Sequence, residues 1–139
     1  MIDTATAFCS VAISERDKIV YAKTSEAKMS HASQLTNMIQ EALLAVNKAP
    51  ADLTAIAVSN GPGSYTGLRI GASTAKGMAY ALDLPVIAVD SLESLALASV
   101  SAREEIAVYV PMIDARRMEV YTGVYNAEGD VLEAPHARI

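Results

Sequence analysis

Ala55-Ile56-Ala57-Val58-Ser59-Asn60-Gly61-Pro62-Gly63-Ser64-Tyr65-Thr66-Gly67-Leu68-Arg69-Ile70-Gly71 is the stretch on which the fold turns. Its first four residues form a short apolar run that ends in a Ser-Asn-Gly-Pro-Gly segment, as a buried parallel strand does when it gives way to a loop. The residues that follow predict a helix from about Thr66 to Leu82. Beyond it, Pro85-Val86-Ile87-Ala88-Val89 reads as another buried strand, and Asp90-Ser91-Leu92-Glu93 has the Asp-to-Glu spacing of a helix cap. Upstream, Phe8 to Ile13 and Lys18 to Lys23 alternate in polarity around the turn Ser14-Glu15-Arg16-Asp17 and predict an antiparallel hairpin. Between hairpin and strand, Leu35, Met38, Ile39, Ala42, Leu43 and Val46 form a stripe at helical spacing, with Ser30 or Ser33 available as N-cap and Pro50 beyond the end. Strand, helix, strand, helix with buried runs is the pattern of an α/β sheet with right-handed crossovers.

An internal repeat extends this plan. Met1-Ile2-Asp3 and its hairpin recur, at an offset of about 111 residues, as Met112-Ile113-Asp114 and the alternating run Met118, Val120, Thr122, Val124. The first hairpin turns at Glu15-Arg16-Asp17 and the second at Asn126-Ala127-Glu128-Gly129-Asp130. Two short hairpins can match by chance; a true duplication implies the two-lobed actin, sugar kinase and Hsp70 type of fold, which is ribonuclease H-like in each lobe. The first lobe, with a five-stranded mixed sheet and helices, is expected over residues 1–104. Residues 105–139 would begin a second lobe that breaks off at Ile139, so the complete protein is expected to be longer.

At 139 residues, 52% hydrophobic and 19% charged, the chain can bury a substantial core. No apolar run reaches the roughly 20 residues of a membrane span, and the start lacks a basic, cleavable leader, so a cytoplasmic protein is expected. Cys9 stands alone in an apolar stretch and reads as a core residue. With 11 Lys and Arg against 16 Asp and Glu, the net charge of −5 has the wrong sign for gripping a phosphate backbone unaided. A partner would therefore hold any nucleic acid.

Glycines 61, 63, 67 and 71 admit two readings, and neither is a Walker A loop, since no Gly-Lys-Ser or Gly-Lys-Thr follows. In one, the loop Gly61, Gly63, Ser64, Thr66 and the following helix N-terminus hold an anion, with Arg69 assisting. In the other, Gly67, Gly71, Ala75 and Ala79 form a small-residue stripe that lets a second helix approach closely.

The block Gly61-Pro62-Gly63-Ser64-Tyr65-Thr66-Gly67-Leu68-Arg69-Ile70-Gly71 is similar, almost residue for residue, to the signature of the TsaB/YeaZ family. Ile2-Asp3-Thr4, His31-Ala32-Ser33-Gln34-Leu35, Leu84-Pro85-Val86-Ile87 and Ile113-Asp114-Ala115-Arg116-Arg117 resemble the family in the same order. Two departures are a shortened apolar start before Asp3 and the missing C-terminal half. The resemblance implies a non-catalytic subunit of the bacterial machinery that makes N6-threonylcarbamoyladenosine in tRNA. Its implied partners are the catalytic paralogue TsaD and the ATPase TsaE, with tRNA reached only through the complex.

The resemblance further implies that the helices Ser33 to Val46 and Thr66 to Leu82 form the contact with TsaD or, in a homodimer, with a second copy. Leu35, Met38, Ile39, Ala42, Gly67, Arg69, Gly71, Ala75 and Ala79 are the candidate interface residues. TsaD-type proteins carry a pair of His metal ligands after the strand matching Pro85 to Val89. Here Ser91 and Leu95 stand in their place, so neither a metal site nor catalytic residues are expected. His31 and His136 are far apart in sequence and make a poor metal pair. No cofactor is expected on the chain alone, although ATP or ADP could sit at an interface of the full complex. Asp3 and Asp114 read either as remnants of Mg-organising acids or as residues that cap turns. The competing reading is a small ATP-dependent kinase or hydrolase that uses Asp3 and the Gly61 to Gly71 loop; a metalloprotease would need the absent His pair.

Overall fold

A computed structural model describes residues 1–25, 31–100 and 108–139, the side chains of His31, Ala32 and Val100 excepted. The chain divides into two compact units, Met1–Asn60 with Ser64–Ala88, and Gly61–Gly63 with Val89–Ile139. The boundary expected between residues 104 and 105 lies outside the described residues, as does Ser30.

Five strands form the first sheet: β1 (Ile2–Asp3), β2 (Ser10–Glu15), β3 (Lys18–Thr24), β4 (Ile56–Gly61) and β5 (Val86–Asp90), in the order β3-β2-β1-β4-β5. β1 pairs antiparallel with β2 (Ile2 opposite Val11) and parallel with β4 (Ile2 opposite Val58), which makes the sheet mixed. The β2–β3 hairpin closes over Arg16 and Asp17, with Arg16 in the left-handed region at φ 53°. Alternation from Cys9 into β2 sends Cys9, Val11 and Ile13 to one side, where they meet Ile2, Ile56 and Val58.

Helix α1 (His31–Ala45) lays Leu35, Met38 and Ala42 on that cluster, and α2 (Tyr65–Leu82) adds Ala75 and Ala79. Because α1 begins at His31, Ser33 lies inside the helix rather than at its cap, and Val46 falls just past its end. Asn47 stops α1 in the left-handed conformation, with Lys48 N–H donating to the Leu43 carbonyl and Asn47 N–H to that of Leu44. α2 ends the same way at Asp83, where Leu84 N–H reaches the Ala79 carbonyl.

β5 departs from expectation. The sequence predicts a buried strand, whereas Val86 and Ile87 are 40% and 52% exposed on a strand at the edge of the sheet. Ile87 lines an open groove of about 900 Å³ with Met1, Ala12, Ala55 and Ala57.

In the second unit, α3 (Ser91–Val100) starts where Asp90 Oδ1 accepts from the amides of Leu92 (2.8 Å) and Glu93 (2.9 Å). That is the capping role its spacing predicts. β6 (Met112–Arg116), β7 (Glu119–Tyr125) and β8 (Val131–Arg138) form an antiparallel sheet in that order. Asn126 Oδ1 closes the β7–β8 turn by accepting from Glu128 and Asp130 amides. Leu92 and Ala96 of α3 pack with Tyr109, Ile113 and Tyr125. The repeat is thus a repeat of structure: β1-β2-β3 and β6-β7-β8 share strand order and pairing sense.

Candidate functional site

The glycine block closes the turn that follows β1. Thr4 is fully buried there; its amide donates to Ser59 Oγ (3.2 Å) and its hydroxyl to the Gly67 carbonyl (2.8 Å). Ser64 N–H donates to the Ala5 carbonyl (2.6 Å). A Cβ on Gly67 would overlap the Thr4 carbonyl oxygen, and one on Gly71 would overlap Thr4 Oγ1. At Gly67 the neighbour is main chain, so only glycine admits so close an approach, whereas at Gly71 it is a side-chain hydroxyl. Gly61, at φ 104°, begins the loop and precedes a cis bond to Pro62. Ser64 caps α2, its Oγ accepting from Gly67 N–H (3.3 Å). Two of the amides an anion cradle would use, those of Ser64 and Gly67, therefore already donate within the chain. Thr66 is exposed on the first turn of α2.

The expectation that the small stripe receives a partner's helix is corrected by burial. Gly67, Gly71, Ala75 and Ala79 are all buried within the first unit, against Thr4 and the sheet. Leu35, Met38 and Ala42 are buried in the same cluster, and Ile39 is packed against it. Both helices need their small and apolar residues to cover their own sheet, so those side chains are not available to a partner. Arg69 alone among the candidate interface residues is exposed.

Arg69 belongs to a second file on the opposite side of α2. Tyr65, Arg69, Ser73, Lys76 and Tyr80 are all exposed and recur at helical spacing, with Tyr65 at 74% and Tyr80 at 92%. The Arg69 guanidinium stacks 5.4 Å from the Tyr65 ring centroid and donates to its hydroxyl (3.2 Å). This aromatic neighbour supplies the compensation that a cation near a helix N-terminus needs. Alternation of this polar and aromatic file with the small file was visible in the sequence and could have marked the outward face. On α1, Leu44 is 71% exposed, and Glu41 joins Lys23 of β3 (Nζ to Oε2 2.6 Å). The Lys23 hydrogen bond holds the Glu41 carboxyl below its usual range.

Asp3 and Asp114, the repeated acids, do the same work. Asp3 Oδ1 accepts from the Ala5 amide (2.9 Å) and Asp114 Oδ1 from the Arg116 amide (2.7 Å), each two residues ahead. These are Asx turns, the turn-capping reading of the two acids. Where TsaD-type metal ligands would stand, Ser91 offers a buried hydroxyl and Leu95 a hydrocarbon side chain, a pair that does not fit a transition metal. Among the described residues, no three His, Cys, Asp or Glu side chains gather as a metal would require. His136 lies 3.5 Å from Glu133, and the side chain of His31 lies outside the described residues. The Tyr125 hydroxyl is buried without a well-formed hydrogen bond, and its pKa is pushed up to about 12, first by burial and then by the Asp90 and Glu93 carboxylates. No helix among the described residues is long and apolar enough to cross a membrane.

Comparison with known proteins adds to this geometry. The family model described as "TsaD: tRNA N6-adenosine threonylcarbamoyltransferase" matches residues 19–137. The tRNA threonylcarbamoyladenosine biosynthesis protein TsaB of Bacillus subtilis (strain 168) is 38% identical over 132 residues, covering 95% of this chain and 56% of that protein. The protein of the same name from Escherichia coli (strain K12) is 36% identical over 127 residues, covering 91% and 54%. A solved structure, YeaZ from Pseudomonas aeruginosa, superposes with a TM-score of 0.85 at 33% identity, over 99% of this chain and 63% of that one. The chain spans about half the length of the curated relatives it matches.

Proposed function

This chain belongs to the TsaB/YeaZ family, and on that premise we propose that its protein is an accessory subunit for making N6-threonylcarbamoyladenosine in tRNA. It docks on a TsaD-type catalytic partner through the outward faces of α1 and α2. The observation that carries the docking reading is the exposed file Tyr65, Arg69, Lys76 and Tyr80, joined by Leu44 on α1. Tyrosine and arginine dominate interface hot spots because they bury large, rigid surfaces and still offer hydrogen bonds. An adenine nucleotide and a TsaE-type ATPase enter this reading only as components of the full complex, and tRNA reaches the chain through it.

Co-purification of the complete protein with its cognate TsaD tests the reading. Arg69→Glu with Tyr80→Glu should abolish pairing while leaving the thermal transition unchanged, because both side chains are exposed. Undiminished pairing by the folded double variant would refute the docking face, and self-association in place of pairing would assign the face to a homodimer. The kinase or hydrolase alternative draws no support from the site, since the turn after β1 is closed by Thr4 rather than opened by a glycine. Calorimetry with Mg-ATP on the isolated protein should give no turnover; turnover would restore that alternative.

A further inference from the structure

The duplicated Asx turns have opposite fates. In the first unit, the turn after Asp3 is stitched to β4 and α2 by Thr4, Ser59 and Ser64. In the second, the turn after Asp114 carries Arg116, Arg117 and Met118, all exposed, Met118 at 93%. All three sit in the left-handed region, at φ 67°, 54° and 64°. Non-glycine residues hold that region at a cost, and closure does not require three of them, since the β2–β3 hairpin turns with Arg16 alone at positive φ. The register adds a third guanidinium: Arg138 on edge strand β8 stands opposite Val120, beside this same end of β7. Two carboxylates stand near, Glu119 opposite Arg116 and Asp114 opposite Val120. Among the described residues neither forms an ion pair with any of the three arginines.

Resting on the tRNA-modification reading above, we propose that Arg116, Arg117 and Arg138 contact the phosphate backbone of the RNA substrate held by the complex. Guanidiniums exposed on a hairpin tip and an edge strand suit successive phosphates of an extended backbone rather than enclosure of a mononucleotide. The net charge of −5 over these 139 residues has the wrong sign for gripping RNA unaided, so the proposed contact is auxiliary and acts once the catalytic partner has engaged the tRNA.

The test is tRNA binding by the complete protein paired with its TsaD partner, at several salt concentrations, with wild type and the Arg116→Gln/Arg117→Gln/Arg138→Gln variant. The variant should bind tRNA at least about tenfold more weakly at low salt, with the slope of log affinity against log salt reduced by about two. Lysine at the three positions should restore most of the loss. Pairing with TsaD, read by co-purification, should be unchanged. Wild-type affinity and slope in a paired variant would overturn the inference alone, as would a loss confined to ATP or ADP binding. Failure of the wild-type protein to pair with TsaD would overturn the functional reading and this inference with it.

Discussion

Adding one methyl group at three glycines of α2 should change stability in different directions. At Gly67 the new Cβ would overlap the Thr4 carbonyl oxygen, a main-chain atom that can retreat only if the β1–β2 turn moves. Such overpacking costs about 1–3 kcal/mol. Two hydrogen bonds at this junction, Thr4 Oγ1 to the Gly67 carbonyl and Ser64 N–H to the Ala5 carbonyl, would stretch, each worth about 1 kcal/mol. Replacing glycine inside a helix returns about 1 kcal/mol. Gly67→Ala should therefore lose about 2–4 kcal/mol. Gly71→Ala meets the Thr4 hydroxyl, which can rotate away by giving up its bond to Gly67, and should lose about 1–2 kcal/mol. Gly77 has open space around it, so Gly77→Ala should gain about 0.5–1 kcal/mol. Urea unfolding followed by circular dichroism reads all three, and an unchanged m-value shows that stability alone has shifted. Thr4→Ala should relieve Gly71→Ala but not Gly67→Ala, whose clash is with main chain. Wild-type stability in Gly67→Ala, or a loss in Gly77→Ala, would refute the account of the glycine block.

On the proposed docking face, Arg69→Glu with Tyr80→Glu should separate the protein from a TsaD-type partner in co-purification without altering its unfolding curve, both side chains being exposed. Tyr125 is held protonated with its pKa near 12; as its unfolded counterpart ionises near 10, this contribution is complete below pH 10 and lost as pH rises from there toward 12. Tyr125→Phe should flatten that alkaline decline in denaturation midpoints, and at pH 7 cost less than about 1 kcal/mol, the hydroxyl having no well-formed hydrogen bond. A decline parallel to wild type would count against it. In a carboxyl-detected NMR titration, Glu41 should protonate below the usual glutamate range, and Lys23→Met should move it upward; an unmoved midpoint would show that the pair does not persist in solution.

Hairpins, helices and the duplication were legible because each rests on short-range periodicity: Cys9, Val11 and Ile13 alternate, Leu35, Met38 and Ala42 recur at helical spacing, and Asp3 and Asp114 repeat with their turns. Which way a helix faces is a different kind of information. A file of glycine and alanine packs equally well against a partner's helix or the chain's own sheet, and nothing in Gly67, Gly71, Ala75 and Ala79 distinguishes the two. Thr4, more than sixty residues away, decides it. The exposure of β5 had a similar cause: Val86 and Ile87 have the composition of a central strand, but strand order places β5 at the edge. Of the two serines that could cap α1, Ser33 lies inside the helix, and spacing alone does not separate a hydroxyl at the cap from one in the first turn.

Stitching α2 to the turn after β1 also gives the inner glycines leverage over the outer surface. Tyr65 and Tyr80 ride on the same rigid cylinder as Gly67 and Gly71. A group that wedged the inner side hard enough to shift α2 would move both tyrosines together. If the outer face docks a partner as proposed, a buried substitution would weaken that docking as a surface one does, although it touches no partner atom. In a screen for assembly mutants, the two would part by thermal stability: inner variants would lose it along with pairing, and outer ones would keep it.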